Sequence, residues 1–183
     1  PDPLIAAEAA RAINDVPIFE AESALADVLP TLIAESDAAV DPLPRVTVEI
    51  FTDVPPTPSG ELEALPVLQE EPDEVLEVEG FLLNGGKMDR YVSRMTGRVV
   101  PTRTGAYRFA ITSDDASVLL IWPEGQPEKK QRVAKVNVWT PLDQWSVEAG
   151  QISDPIEMTA GEPWIVQAIH SEGGGGDHVA VGW

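Results

Sequence analysis

Residues 105–122 read GAYRFAITSDDASVLLIW, and this stretch decides the fold. It holds two hydrophobic runs, 106–112 and 116–122, separated by Ser113, Asp114 and Asp115. In the first run Tyr107, Phe109 and Ile111 alternate with Arg108, Ala110 and Thr112, the two-residue period of a half-buried strand. The spacing predicts a β-hairpin with a carboxylate pair at its tip, and that tip is the natural place for chemistry.

Working outward, 183 residues suffice for one well-packed domain with a segment appended. Charge is uneven: residues 1–80 carry 19 of the 31 acids and only Arg11 and Arg45 of the 12 bases. Such a surface repels phosphate backbones and anionic lipid, so neither nucleic acid nor membrane insertion is expected, and cations are the natural counterpart. With no cysteine, disulfides and thiolate metal sites are excluded. No apolar run approaches the ~20 residues of a membrane-spanning helix. The start at Pro1 lacks the basic and apolar regions of a signal peptide, and the end falls on the strand-like HVAVGW, so the chain reads as processed or as an excerpt.

Residues 1–44 form an acidic, Ala-rich segment whose composition favours two or three short α-helices, punctuated by Pro17, Pro30, Pro42 and Pro44. Their apolar positions would line a face for packing on a neighbour, including self-association; the alternative is an acidic linker. Residues 45–183 read as the folded domain. RVTVEIFT (45–52) is its first strand and DVPPTPSG (53–60) a surface loop, because three prolines cannot continue a ladder. Residues 61–68 are ambiguous with one helical turn. An acidic edge strand follows, then a turn at NGGK (84–87) and a strand at YVSRMTGRVV (91–100), with Gly97 as a bulge or close approach. Strands are expected at 131–138, 152–158, 163–170 and 178–183, and 139–150 lacks periodicity and reads as a long loop. Short connections imply antiparallel pairing, so the fold class is mainly β: an antiparallel β-sandwich preceded by a short α-helical N-terminal segment.

Residues 104–122, TGAYRFAITSDDASVLLIW, and 158–183, MTAGEPWIVQAIHSEGGGGDHVAVGW, resemble a PA14 domain, a β-sandwich module of adhesins, toxins, glycosidases and bacterial surface proteins. QWSVEAGQISDPIEM, VTVEIFTDV and GGKMDRYVSRMTGRVVPTRTG extend the resemblance over residues 46–183. In the lectins of this family a consecutive aspartate pair joined by a cis peptide binds calcium, and sugar hydroxyls complete the ion's shell. The resemblance places Asp114 and Asp115 in that role. It places the remaining ligands in the loop EGGGGDH (172–178), with Asp177 as the third carboxylate and Glu172, Gly174, Gly175 and His178 around the ligand. Two carboxylates at a loop tip suit the six to eight oxygens that Ca²⁺ takes, and glycines let backbone carbonyls approach closely.

Taken singly, Glu172 and Asp177 read as solvated loop acids, and the aspartate pair as a turn device. Trp139 and Trp145, in the long loop, are candidates for stacking on a sugar ring. Trp122, Trp164 and Trp183 read as core, and His170 and His178 as structural imidazoles, since their spacing suits no zinc site. Adjacent aspartates on one turn do not flank a glycosidic bond from opposite faces, and no nucleophile triad or phosphate loop is present. The expectation is a non-catalytic, secreted or cell-surface module for carbohydrate binding or adhesion that uses Ca²⁺. The alternatives are a structural or assembly module of a surface layer, appendage or filament, and an accessory domain of a larger hydrolase.

Overall fold

A computed structural model describes residues 43–85 and 88–183. The helices expected in 1–44 therefore lie, up to residue 42, outside the described residues, as do Gly86 and Lys87 of the NGGK turn. Residues from Leu43 onward form one compact unit.

Eleven strands are present among the described residues: β1 (Arg45–Phe51), β2 (Glu74–Glu79), β3 (Leu82–Asn84), β4 (Tyr91–Val99), β5 (Gly105–Tyr107), β6 (Ala110–Asp114), β7 (Ala116–Pro123), β8 (Gln131–Val136), β9 (Ile156–Met158), β10 (Trp164–Glu172) and β11 (His178–Gly182). They pair antiparallel into a six-stranded sheet ordered β2-β1-β4-β10-β7-β8, a three-stranded sheet ordered β3-β11-β6, and the pair β5-β9. The mainly β, antiparallel architecture expected from the sequence is what forms. No helix among the described residues is long and apolar enough to cross a membrane.

The hairpin expectation is overturned at its ladder. The first run is also not one strand: it breaks at residues 108–109, its start β5 pairing with β9, while β6 pairs with β11 and β7 with β10 and β8, so β6 and β7 lie in different sheets and Asp115 marks the corner between them. The reason is the composition of β7. Ala116 to Ile121 are all buried: Leu119 and Ile121 face the main core with Val48, Met95, Phe109 and Val179, whereas Val118 and Leu120 face a second core with Phe51, Leu62, Leu68 and Ile169. A strand without a polar face belongs inside a sheet covered on both sides. The second cover is residues 54–69, where the proline loop leads into 3-10 turns at Leu62–Ala64 and Pro66–Gln69.

β2 is an edge strand whose Glu74, Glu77 and Glu79 stay exposed, which discourages pairing with another chain. Gly97 sits at a close approach: a Cβ there would lie 2.7 Å from Phe81 Cζ and 2.9 Å from Val46 Cγ2. The tryptophans depart from the core reading. Trp122 and Trp164 are half-buried, and Trp183 is 48% exposed, touching Phe81 and Phe109 with its ring.

Candidate functional site

β10 extends two residues beyond its expected end, through Ser171, which pairs with Ala116, to Glu172. β11 starts at His178, directly opposite Asp114. The glycine segment 173–176 thus has to cross beside the corner Asp114–Asp115, whose peptide bond is cis. Asp115 Oδ2 accepts a hydrogen bond from Gly173 N–H at 3.0 Å, and Gly175 N–H donates to Asp89 Oδ1 at 3.2 Å. Gly175 has φ +120°, a conformation open to glycine.

Carboxylate oxygens of Asp114, Asp115 and Glu172 all lie within 4.8 Å of one another. Glu172 is 1% exposed, and neither of its carboxylate oxygens has a hydrogen-bond partner. Burial, then the charges of Asp115 and Asp114, push its pKa up to about 7. Asp114 is also raised, by burial and by Asp115. These are the shifts expected of buried acids forced together, with the charge of His178 only partly opposing the rise on Asp114. His170 adds no charge: burial pushes it down to about 4, leaving it neutral, and its Nε2 bonds the Asp114 carbonyl oxygen while Nδ1 faces Ser93 Oγ at 3.4 Å.

Among the residues singled out in the sequence, Asp114, Asp115 and Glu172 come together. Glu172 and Asp177 are buried rather than solvated, a correction that follows from β10 running further and from the loop folding inward. Asp177 sits one step back: its Oδ2 accepts from the Tyr91 hydroxyl at 2.8 Å, its Oδ1 is buried without a partner, and its backbone oxygen accepts from Gly85 N–H. The hydroxyl of Tyr91 is shifted upward by burial and by this bond. His178 flanks Asp114 with its Nε2 buried and unpartnered. Gly174 and Gly175 lie against Asp89. Trp139 bridges to Asp114 and is 53% exposed, so it stands at the rim.

Trp145 is elsewhere. Its ring lies over Gly182, which pairs with Ala110. That is four residues along the strand from the aspartates, or roughly 13 Å at 3.3 Å per residue. Sequence reading missed Tyr91, which looks like any core aromatic at a strand start, and Asp89, which carries no pattern. It also missed the role of the proline loop: Pro56 lies where a Gly173 Cβ would meet it at 3.2 Å, and Thr57 N–H donates to Ser171 Oγ.

Residues 72–124 match the family described as PA14 domain. A PA14 sugar-binding domain from an RTX adhesin superposes with TM-score 0.53 at 13% identity, covering 76% of this chain and 88% of that one. The A domain of epithelial adhesin 9 from Candida glabrata, in complex with Galβ1-3GlcNAc, gives TM-score 0.52 at 12% identity, covering 76% and 80%. Among curated proteins, N-acetyl-beta-glucosaminyl-glycoprotein 4-beta-N-acetylgalactosaminyltransferase 1 of Mus musculus is 30% identical over 102 residues, which is 53% of this chain and 10% of that protein. The chain thus spans about a tenth of that relative. The resemblance to PA14 domains read from the sequence is shown, in the matched residues and in the fold.

Proposed function

We propose that this domain is a non-catalytic carbohydrate-binding module of a secreted or cell-surface protein, with Asp114, Asp115 and Glu172 holding a calcium ion. One observation carries the reading: three carboxylates converge within 4.8 Å, and the most buried of them has two unpartnered oxygens. Buried acids in contact are costly unless a cation joins them. Three hard oxygen donors of high negative charge, with no sulfur, suit Ca²⁺ better than a transition metal.

Such an ion offers open positions to the hydroxyls of a sugar. The chain's own part is to fix the donors: Gly173 N–H holds the Asp115 carboxylate, His170 holds the Asp114 backbone, and Tyr91 orients Asp177 beside them. Trp139, exposed next to Asp114, provides an aromatic face for a pyranose ring. The two adhesin domains of like fold, one named for sugar binding and one holding a disaccharide, support the carbohydrate reading. The absence of catalysis is part of the proposal, because the carboxylates point to one spot instead of flanking a bond from opposite sides.

The test is a calcium titration followed by melting temperature, with EDTA as control, and then by a glycan array. Ligand that binds only the folded state adds about 2.7 kcal/mol of stability at a hundredfold excess over Kd. An unchanged melting temperature at millimolar calcium sinks the cation site. Calcium binding with a blank array leaves a spacer or assembly module as the better reading.

A further inference from the structure

A cleft of about 360 Å³ opens at the end of β6 and β11 away from the aspartates, lined by Arg108, Ala110, Trp145, Ile152, Gly182 and Trp183. Ala110 and Gly182 pair across the two strands and add almost no side chain, so the space above them is left to the two indole rings. Trp145 lies over Gly182, where a Cβ would meet its ring at 3.5 Å. Trp183 packs on Phe81 and Phe109, with ring centroids 6.2 Å away in each case, and is still 48% exposed.

One charge lines this apolar cleft. Among the described residues Arg108 makes a single hydrogen bond, from one terminal nitrogen to Ser153 O at 3.1 Å, and joins none of the ion pairs. The rest of its fork is free for an anion, and a guanidinium fits a carboxylate through two parallel bonds. From this we infer that the cleft binds a hexuronate, a pyranose that carries a carboxylate, with its C–H face on an indole and its carboxylate on Arg108. The ligand class rests on the carbohydrate reading of the domain, but this site needs no cation.

Three observations select this occupant. The volume is at the lower end for small-molecule sites, which suits a single sugar unit. The main chain at this edge is already paired: Ile111 N–H donates to Gln151 O, Ser153 N–H to Phe109 O, and Phe109 N–H to Ser153 Oγ. A peptide strand therefore finds no ladder to join, and what remains is ring face and charge, the two things a hexuronate presents. The aromatic wall is also fixed before any ligand arrives. Gln151, fully buried, ties down the segment that carries Trp145: its Nε2 donates to Ile111 O and Gln144 O, and its Oε1 accepts from Glu148 N–H. Little freedom is then lost on binding.

The indole N–H signals of the ¹⁵N-labelled chain test this in EDTA, with D-galacturonate and D-glucuronate as probes and D-galactose and D-glucose as their neutral counterparts. The expected result is a shift of the Trp145 and Trp183 indoles, with at least one acid binding about tenfold more tightly than its neutral sugar, the margin of a charge-assisted bond. Arg108→Gln, at an exposed position, then brings the acid down to the neutral sugar's affinity. Trp145→Ala weakens both about tenfold, as loss of an aromatic anchor does. Silent indoles with both acids, equal affinity for acid and neutral sugar, an acid preference that survives Arg108→Gln, or full affinity in Trp145→Ala overturns the site. So does tighter binding of an N-acetylated tripeptide with a free carboxylate at the same two indoles. An unchanged melting temperature in the calcium titration leaves this result standing, whereas calcium-dependent sugar binding with silent Trp145 and Trp183 indoles sinks the cleft alone.

Discussion

The Nε2 of His170, on the six-stranded sheet, hydrogen-bonds the backbone oxygen of Asp114, on the three-stranded one. A carbonyl only accepts, so Nε2 carries the proton and Nδ1 is left as the acceptor facing Ser93 Oγ. One neutral side chain therefore fixes the corner where the chain changes sheets.

His170→Phe keeps a ring of similar bulk in a fully buried position and removes that donor. Leaving a part-buried carbonyl unpaired costs about 1–3 kcal/mol. Urea unfolding is expected to show a loss of that size, together with weaker calcium binding by isothermal titration, since Asp114 loses its anchor. Unchanged calcium affinity in a destabilised variant would assign His170 to packing alone.

Two buried groups pull stability in opposite directions with pH. His170 titrates near 4 in the fold against 6.5 ordinarily, so the unfolded chain binds more protons between those values and the stability due to this residue is lost as pH falls from 6.5 to 4. Glu172 titrates near 7 against 4.5, so the fold binds more protons in that window and stability due to this residue is lost as pH rises from 4.5 to 7. In EDTA the two oppose each other between 4.5 and 6.5, and Asp114, also raised, acts in the same sense as Glu172, so the urea midpoint should not climb with pH there. Glu172→Gln removes one arm, and its midpoint should climb with pH from 4 to 6.5. Calcium, held at the proposed site, would keep Glu172 ionised and should give the native protein the variant's profile.

Much of this was legible in the sequence because it depends on local pattern. Alternation in RVTVEIFT and YVSRMTGRVV located β1 and β4, and the DD pair and the glycine run named two segments that the fold brings together. Sheet membership was not legible. Whether β6 pairs with β7 or β11 depends on which faces of β7 are covered, and one cover, 54–69, is an irregular segment whose sequence shows only breakers. The burial of Glu172 was hidden for a related reason: it depends on how far β10 runs beside β4 and β7, and an acid at a strand end reads as solvated until its neighbours are known.

Gly97 lies where a side chain would overlap both Phe81 and Val46. Gly97→Ala lowers the conformational entropy of the unfolded chain, but the 2.7 Å contact with a buried ring dominates. Overpacking of this kind costs about 1–3 kcal/mol, to be read from the urea midpoint. A neutral result would mean that the Phe81 ring shifts freely, toward Trp183.

Removing charge from the cluster should have opposite effects with and without the ion. In EDTA at pH 8, Glu172→Gln relieves repulsion among three carboxylates and raises the melting temperature. In calcium it removes a ligand, lowers affinity about tenfold or more, and lowers the melting temperature relative to the native protein. Asp177→Asn should cost less affinity, because one of its oxygens is already bonded to Tyr91. If the aspartates were only a turn device, the sign would not depend on calcium.

Gly173 joins the acids to the proline loop. A Cβ there would lie 2.9 Å from Asp115 Oδ2 and 3.2 Å from Pro56 Cγ, and the Gly173 N–H bonds that same Asp115 oxygen. Asp115 is the more mobile of the two obstacles, since its carboxylate rotates about one bond while Pro56 sits in a loop held by Thr57 and Val54. Gly173→Ala should therefore turn the Asp115 carboxylate out of the cluster and leave the fold nearly as stable. Calcium affinity by isothermal titration is expected to fall about tenfold or more, the cost of one displaced carboxylate ligand. Unfolding in EDTA should move by no more than roughly 1 kcal/mol, as for a change outside the packed core. The reverse pattern, a large stability loss with calcium affinity intact, would show that Pro56 yields first and that the loop, not the ligand geometry, depends on the missing side chain.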